Sequence, residues 1–240
     1  MKISVCMTVH SKSPYLIEQL DSIFNQGYRI DQLVIIEDKS NVSMKNEILE
    51  KIPSHLEYSY HENEETLGPF LSFKKGIELC EGDLIFFSDQ DDIWMKNKVE
   101  KVIDFMSSNH GIDIVIHNAK IIGSDNNFRD GDLYHDVWRV ERNWISNIAV
   151  NKSIGACMVV RKDFAKKNLN AIKIIPHDWI LSTIALKNKK LSTLSDPLIY
   201  YRRHESTFTG RKKLIINLKA NLNRFYHRIS LLLICIFWNQ

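Results

Sequence analysis

The 240-residue chain is short of the features that mark specialised proteins. It has 9 glycines and 5 prolines, nowhere gathered into a run, which excludes a collagen-like repeat, a low-complexity chain and a flexible linker between halves. Its four cysteines, Cys6, Cys80, Cys157 and Cys235, lie far apart in apolar stretches with no CxxC spacing. That excludes a disulfide framework or zinc site and predicts buried free thiols. No run approaches the roughly 18 apolar residues needed to span a bilayer; the longest is Leu231 to Trp238. Met1-Lys2 and the short run Ile3 to Val9, broken by Ser4 and Thr8, do not read as a signal peptide. The expected place is the cytoplasm, or the inner face of the cell membrane as a peripheral protein. A net charge of +3 is too small to argue for nucleic acid, and no such partner is expected. The charge is uneven, however: residues 202–228 hold eight Lys/Arg and one acid, leaving the rest mildly acidic.

What the chain does have is 44% hydrophobic residues, enough for one sizeable core, in a β-α alternation of about 25 residues per unit. Strands are predicted over 3–9, 32–37, 56–61, 84–88 and 112–116. Helices are predicted from Pro14, over 44–51, over 67–80 and over 97–108. This pattern predicts a mostly parallel sheet flanked by helices, a nucleotide-binding type of α/β fold with ligands at the carboxyl ends of the strands. Three polar loops, Thr8 to Ser13, Asp38 to Asn41 and Asp89 to Asp92, should meet on that rim. Beyond residue 117 strict alternation stops. A polar loop is expected over 125–136, a buried strand over 154–160, a helix opened by Pro176-His177-Asp178, and strands over 190–193 and 198–202. Residues 1–210 are expected to form the main domain and 211–240 a basic helical tail.

Asp89-Gln90-Asp91-Asp92 carries the strongest chemical signal. Three carboxylates within four residues repel one another unless a cation relieves them, and oxygen ligands suit Mg²⁺ or Mn²⁺ shared with substrate phosphates. The competing account is an Asp-rich turn that caps the next helix. Asp38 could accept from a base N–H or ribose hydroxyl, or simply close an Asx-turn. Asp178 is either a general base or an N-cap. His204 is either a metal or phosphate contact or an exposed loop histidine.

SVCMTVHSKSPYLIEQLDSIFNQ, IIEDKS, EGDLIFFSDQDDIW, GACMVV and HDWIL, in this order over residues 2–210, resemble the family 2 glycosyltransferases of GT-A fold, in particular their rhamnosyltransferase-like branch. The resemblance implies an inverting, metal-dependent hexosyltransferase. It would move rhamnose or another hexose from a nucleoside-diphosphate sugar to a glycan or lipid-linked glycan in surface polysaccharide synthesis. It implies roles as well: Thr8 and His10 beside the nucleotide, Asp38 on the base or ribose, and Asp89 on the ribose or sugar. Asp91 and His204 would be metal ligands, Asp178 the base, and Lys74, on the helix beginning Leu67-Gly68-Pro69, a contact of the nucleotide sugar. EDKS departs from the two aspartates more usual in the second loop. Two other classes stay open: a phosphohydrolase with an Asp nucleophile, and a non-catalytic nucleotide-sugar-binding protein.

In the tail, Leu214, Leu218, Leu222, Phe225, Ile229 and Leu232 share one helical face, with Lys219, Arg224 and Arg228 largely off it. That face is expected to meet a membrane surface or to pack on the body or a second subunit.

Overall fold

The computed structural model describes residues 1–132, 143–169, 175–204 and 218–237. Its first half follows the predicted alternation: β1 (Ile3–His10), α1 (Leu16–Phe24), β2 (Gln32–Asp38), α2 (Lys45–Lys51), β3 (Glu57–Glu62), α3 (Gly68–Leu79) and β4 (Leu84–Ser88). These strands pair in parallel in the order β3-β2-β1-β4. β1, β2 and β4 read as near-continuous apolar runs because helices cover both their faces. All four cysteines are free and buried, as expected.

The second half comprises β5 (Ile93–Trp94), α4 (Lys98–Ser108), β6 (Ile114–Ile122), β7 (Phe128–Asp132), α5 (Trp144–Ala149), a 3₁₀ turn (Gly155–Cys157), β8 (Met158–Arg161), α6 (Lys162–Leu169), α7 (His177–Lys187), β9 (Leu191–Arg202) and α8 (Leu218–Phe237). β8 joins β4 antiparallel, β6 pairs antiparallel with β8 and parallel with β9, and β5 closes the far edge of one curled, mixed sheet.

Several elements differ from the sequence expectation. The strand expected over 112–116 runs on to Ile122 and turns through Gly123–Asn127 into β7, so the expected polar loop is in part a hairpin; residues 133–142 lie outside the described residues. The two strands expected around Asp196-Pro197 are one strand, β9, which absorbs the proline in register shifts opposite His117–Asn118. The strand expected over 154–160 opens with the 3₁₀ turn. The segment after the acid cluster is the strand β5, so the cluster does not cap a helix there.

The boundary expected at residue 210 lies outside the described residues. α8 rests on α5 and α7, with Leu231 and Cys235 buried, the His227 ring 6.0 Å from Trp179, and Lys187 Nζ donating to the Cys235 carbonyl. Phe225, Ile229 and Leu232, from the expected apolar face, are exposed, with Ile236 beside them. The helix therefore has two apolar sides, and the one against the body is centred on Leu231 and Cys235.

α3 seats on β1 through Gly76, where a Cβ would collide with Cys6 Sγ and approach Ile36 Cγ1 to 3.3 Å. Gly76→Ala should destabilise the protein by about 1–3 kcal/mol despite alanine's better helix propensity, because overpacking outweighs it. Urea unfolding should show the loss, with Cys6→Ala/Gly76→Ala recovering part of it.

Candidate active site

The loop after β4 is held from two sides. Gln90 lies against the end of β1: its Oε1 accepts from the His10 N–H at 2.8 Å and its Nε2 donates to the His10 carbonyl at 3.0 Å. An amide side chain thus supplies one more rung of a backbone-like ladder. On the other side stands Arg202, the last residue of β9, with a fully buried side chain. Its Nε donates to the Asp91 carbonyl at 2.8 Å, Nη1 to the Gly123 carbonyl at 3.2 Å and to Asn126 Oδ1, and Nη2 to Glu18 Oε2 at 2.7 Å. The guanidinium lies over the Tyr15 ring at 4.2 Å, and the Arg202 N–H donates to Asp92 Oδ1 at 3.0 Å. Sequence reasoning passed over Arg202; the signal was an arginine closing the apolar run Leu198-Ile199-Tyr200-Tyr201.

His204 then arrives two residues later, with its Nε2 2.8 Å from Asp91 Oδ2 and its ring 5.2 Å from Tyr15. The remaining acids have separate duties. Asp92 is buried and structural: one oxygen holds β9 and Oδ2 has no partner among the described residues, so burial and its acidic neighbours push its pKa well up. Asp89 is pushed up to about 7, first by burial, then by Asp91 and Asp178. A second buried cation acting on this cluster is Lys98, also absent from the sequence reading. It is fully buried, donates to the Ala156 carbonyl at 3.1 Å and lies 3.9 Å from the Trp94 ring centre. Burial lowers its pKa to about 7, against the pull of Cys157, Asp92 and Asp89.

Asp178 is the second residue of α7, whose N-cap is Pro176, so it is not the N-cap. Its Oδ1 accepts from the Trp179 N–H at 2.8 Å and Oδ2 from Asn151 Nδ2 at 3.2 Å. Burial pushes its pKa up to about 6 while both bonds pull it back. Its neighbour His177 does not enter the cleft. It is wedged between Phe73 and Phe87, 4.4 and 4.8 Å away, and burial lowers its pKa to about 3.

Asp38 holds the start of α3: Oδ1 accepts from Leu67 N at 2.8 Å and Asn63 Nδ2 at 3.1 Å, and Oδ2 from Gly68 N at 2.7 Å. Gly68 sits at φ +79°, a conformation a side chain resists. Glu37, in the departing EDKS loop, serves α2 likewise, accepting from Met44 N, Ser43 Oγ and Tyr60 Oη. Thr8 is nearly buried in β1, opposite Ile36 of β2. Lys74 is partly buried on α3 and makes no hydrogen bond or ion pair among the described residues. The structure therefore gathers Asp89, Asp91, Asp178 and His204, ties His10 to them through Gln90, and leaves Asp38 and Lys74 on the α3 side.

No group of three His, Cys, Asp or Glu side chains poised for a metal occurs among the described residues. Asp91 and His204 form a pair: one carboxylate and one imidazole, aimed at each other. Two protein donors fit a divalent cation that completes its shell with diphosphate oxygens and water.

The sequence matches the family model described as Glycosyl transferase family 2 over residues 4–169. It is 31% identical over 116 residues to the UDP-Gal:alpha-D-GlcNAc-diphosphoundecaprenol beta-1,3-galactosyltransferase of Escherichia coli, covering 48% of this chain and 42% of that protein. It is 26% identical over 239 residues to the minor teichoic acid biosynthesis protein GgaB of Bacillus subtilis, covering 94% of this chain and 25% of that protein. The fold is similar to that of S. aureus TarS 1-349 in complex with UDP, with a TM-score of 0.69 at 19% identity, covering 98% of this chain and 65% of that one. The complex of TarS 1-349 with UDP-GlcNAc gives 0.66 at 20% identity, covering 86% and 60%. The chain thus spans between a quarter and two thirds of these proteins.

The raised pKa of Asp178 has a consequence for stability. Between the unfolded value of about 3.9 and the folded value of about 6, the folded protein keeps a proton that the unfolded chain has released. The stability this gives is present at low pH and lost as pH rises through 6. Asp178→Asn carries no such titration. Its urea midpoint in metal-free buffer should therefore gain on the wild type from pH 5 to pH 8, and parallel midpoints across that range would refute the shift.

Proposed function

The chain belongs to glycosyl transferase family 2, and from that premise we propose that it transfers a hexose from a nucleoside-diphosphate sugar to a hydroxyl of a glycan or lipid-linked glycan, in surface polysaccharide synthesis, with inversion at the anomeric carbon. The observation that carries this reading is the meeting of Asp89, Asp91 and His204 with Asp178 on the carboxyl rim of the sheet. A likeness in fold to a protein that holds UDP-GlcNAc supports a nucleotide-sugar donor. Similarity to a galactosyltransferase of diphosphoundecaprenol-linked GlcNAc and to a teichoic acid biosynthesis protein supports a lipid-linked or surface-glycan acceptor.

In this mechanism Asp178 accepts the acceptor hydroxyl's proton as that oxygen bonds to the anomeric carbon. The bond from that carbon to the diphosphate oxygen breaks at the same time, and the diphosphate leaves with the electron pair. One displacement on the opposite face inverts the configuration through an oxocarbenium-like transition state. A pKa near 6 leaves Asp178 ionised at neutral pH yet a better base than an exposed aspartate. Asp89 faces the ribose or sugar, Thr8 and His10 flank the nucleotide, Asp38 meets the base or ribose beside the start of α3, and Lys74 contacts the nucleotide sugar. Asp91 and His204 would hold Mg²⁺ or Mn²⁺, which when bound neutralises charge on the departing diphosphate.

Asp91→Asn should weaken UDP binding at least tenfold (about 1.4 kcal/mol or more) in the presence of Mn²⁺, while leaving any metal-free binding unchanged. Calorimetry with and without chelator reads this, and equal affinities would remove the metal role. Asp178→Asn should bind UDP normally and lose transfer by about 10²–10⁴-fold. Transfer at the wild-type rate would sink the base assignment.

The tail supports peripheral contact with an anionic membrane. Among the described residues no helix is long and apolar enough to cross a bilayer, yet α8 exposes Phe225, Ile229, Leu232 and Ile236 with basic residues in the same segment. Leu232→Glu/Ile236→Glu leaves the side packed on the body intact. It should abolish low-salt flotation with phosphatidylglycerol vesicles without moving the thermal midpoint; unchanged flotation would exclude this face.

A further inference from the structure

Asn151 lies between α5 and the 3₁₀ turn, in a segment the motifs do not cover. Its amide makes two bonds: Oδ1 accepts from the Ser153 N–H at 3.0 Å and Nδ2 donates to Asp178 Oδ2 at 3.2 Å. A backbone N–H can only donate and an ionised carboxylate can only accept, so the two ends of the amide cannot be exchanged. The Ser153 bond closes a turn that fixes Asn151 before any acceptor arrives. The start of α7 alone would hold one oxygen of Asp178, through the Trp179 N–H. A single donor leaves the carboxylate free to rotate about its terminal torsion, which is intrinsically soft. A second donor at the other oxygen removes that freedom.

We propose that Asn151 is a positioning residue for the transfer step, its Nδ2–H fixing the plane of the Asp178 carboxylate so that an oxygen faces the acceptor hydroxyl. This rests on the reading of Asp178 as the base. The bond favours the charged form, so it also keeps the base ionised against its burial. The charged and titratable groups that face it are Asp89 on the loop after β4, His177 beside it on α7 and His227 of α8 on Trp179; Asp91 and Lys98 act on Asp89 rather than on Asp178. Substitution at Asn151 leaves all of these in place.

Two variants of the full chain separate positioning from a turn-forming role. Asn151→Ala loses both bonds. Asn151→Asp keeps an oxygen for the Ser153 N–H but sets a carboxylate against Asp178. Rates of transfer against pH, donor KM and urea midpoints would be measured for both beside Asp178→Asn. Positioning predicts that Asn151→Ala lowers kcat about ten- to a hundredfold with donor KM unchanged. The acid limb should move up by about one pH unit. Asn151→Asp should move the limb further, with a urea midpoint close to the wild type's at low pH, where protonation removes the repulsion, and below it at high pH. A wild-type rate and pH profile for Asn151→Asp would overturn the inference, leaving Asn151 a turn residue. If Asp178→Asn instead transfers normally, the base reading itself falls, a distinguishable outcome.

Discussion

The site depends on one buried cation. Arg202 is a large, always-charged side chain with no exposure, and each donor that faces an acceptor is used: the Asp91 carbonyl, the Gly123 carbonyl, Asn126 and Glu18. Burying a guanidinium is tolerable only with such full satisfaction. The same bonds pin four separate pieces of chain, namely the start of α1, the acid loop, the β6–β7 turn and the end of β9. His204 can meet Asp91 because Arg202, two residues earlier, has already fixed the distance between their backbones.

Around that anchor the acids are unequal by environment rather than by sequence. Asp92 and Asp38 both accept from backbone N–H groups and in doing so organise the fold. Asp89 is raised by burial and by Asp91 and Asp178, and Asp178 by burial alone, which is the state expected of groups waiting for a ligand. A protein that buries ionisable groups this way gives up stability in the ligand-free state where its chemistry is to happen.

Much of this was legible in the chain. Apolar strands ending in polar loops placed β1, β2 and β4 and the rim they share, since burial on both faces writes a strand in an unbroken apolar run. The acid cluster and the HDW start of α7 were visible as chemistry in unusual places. The second half was less legible because its strands are held by tertiary contacts. β5 is two residues long, and β9 contains a proline that local rules read as a break. Lys98 and Arg202 were missed because basic residues beside others of their kind, Lys96 and Arg203, look solvated in sequence; only packing reveals that they have been taken inside. Asp38 reads in sequence as a nucleotide contact or a turn residue, and its hold on the N-terminus of α3, 29 residues away, cannot be read from its neighbours.

The irregularity in β9 also has a consequence for which way its residues point. Ile114 pairs with Leu191, an offset of 77, whereas Ile122 pairs with Arg202, an offset of 80. β9 therefore contains three residues more than β6 over the shared length. Residues opposite one another in a ladder share a face, so Arg202 takes the face of its partner Ile122. Strict alternation counted from Leu191, an odd number of residues earlier, would have turned Arg202 to the other face. The irregular stretch around Asp196-Pro197 absorbs the odd surplus and so decides the side on which the guanidinium arrives, a constraint that no single side chain in the strand carries.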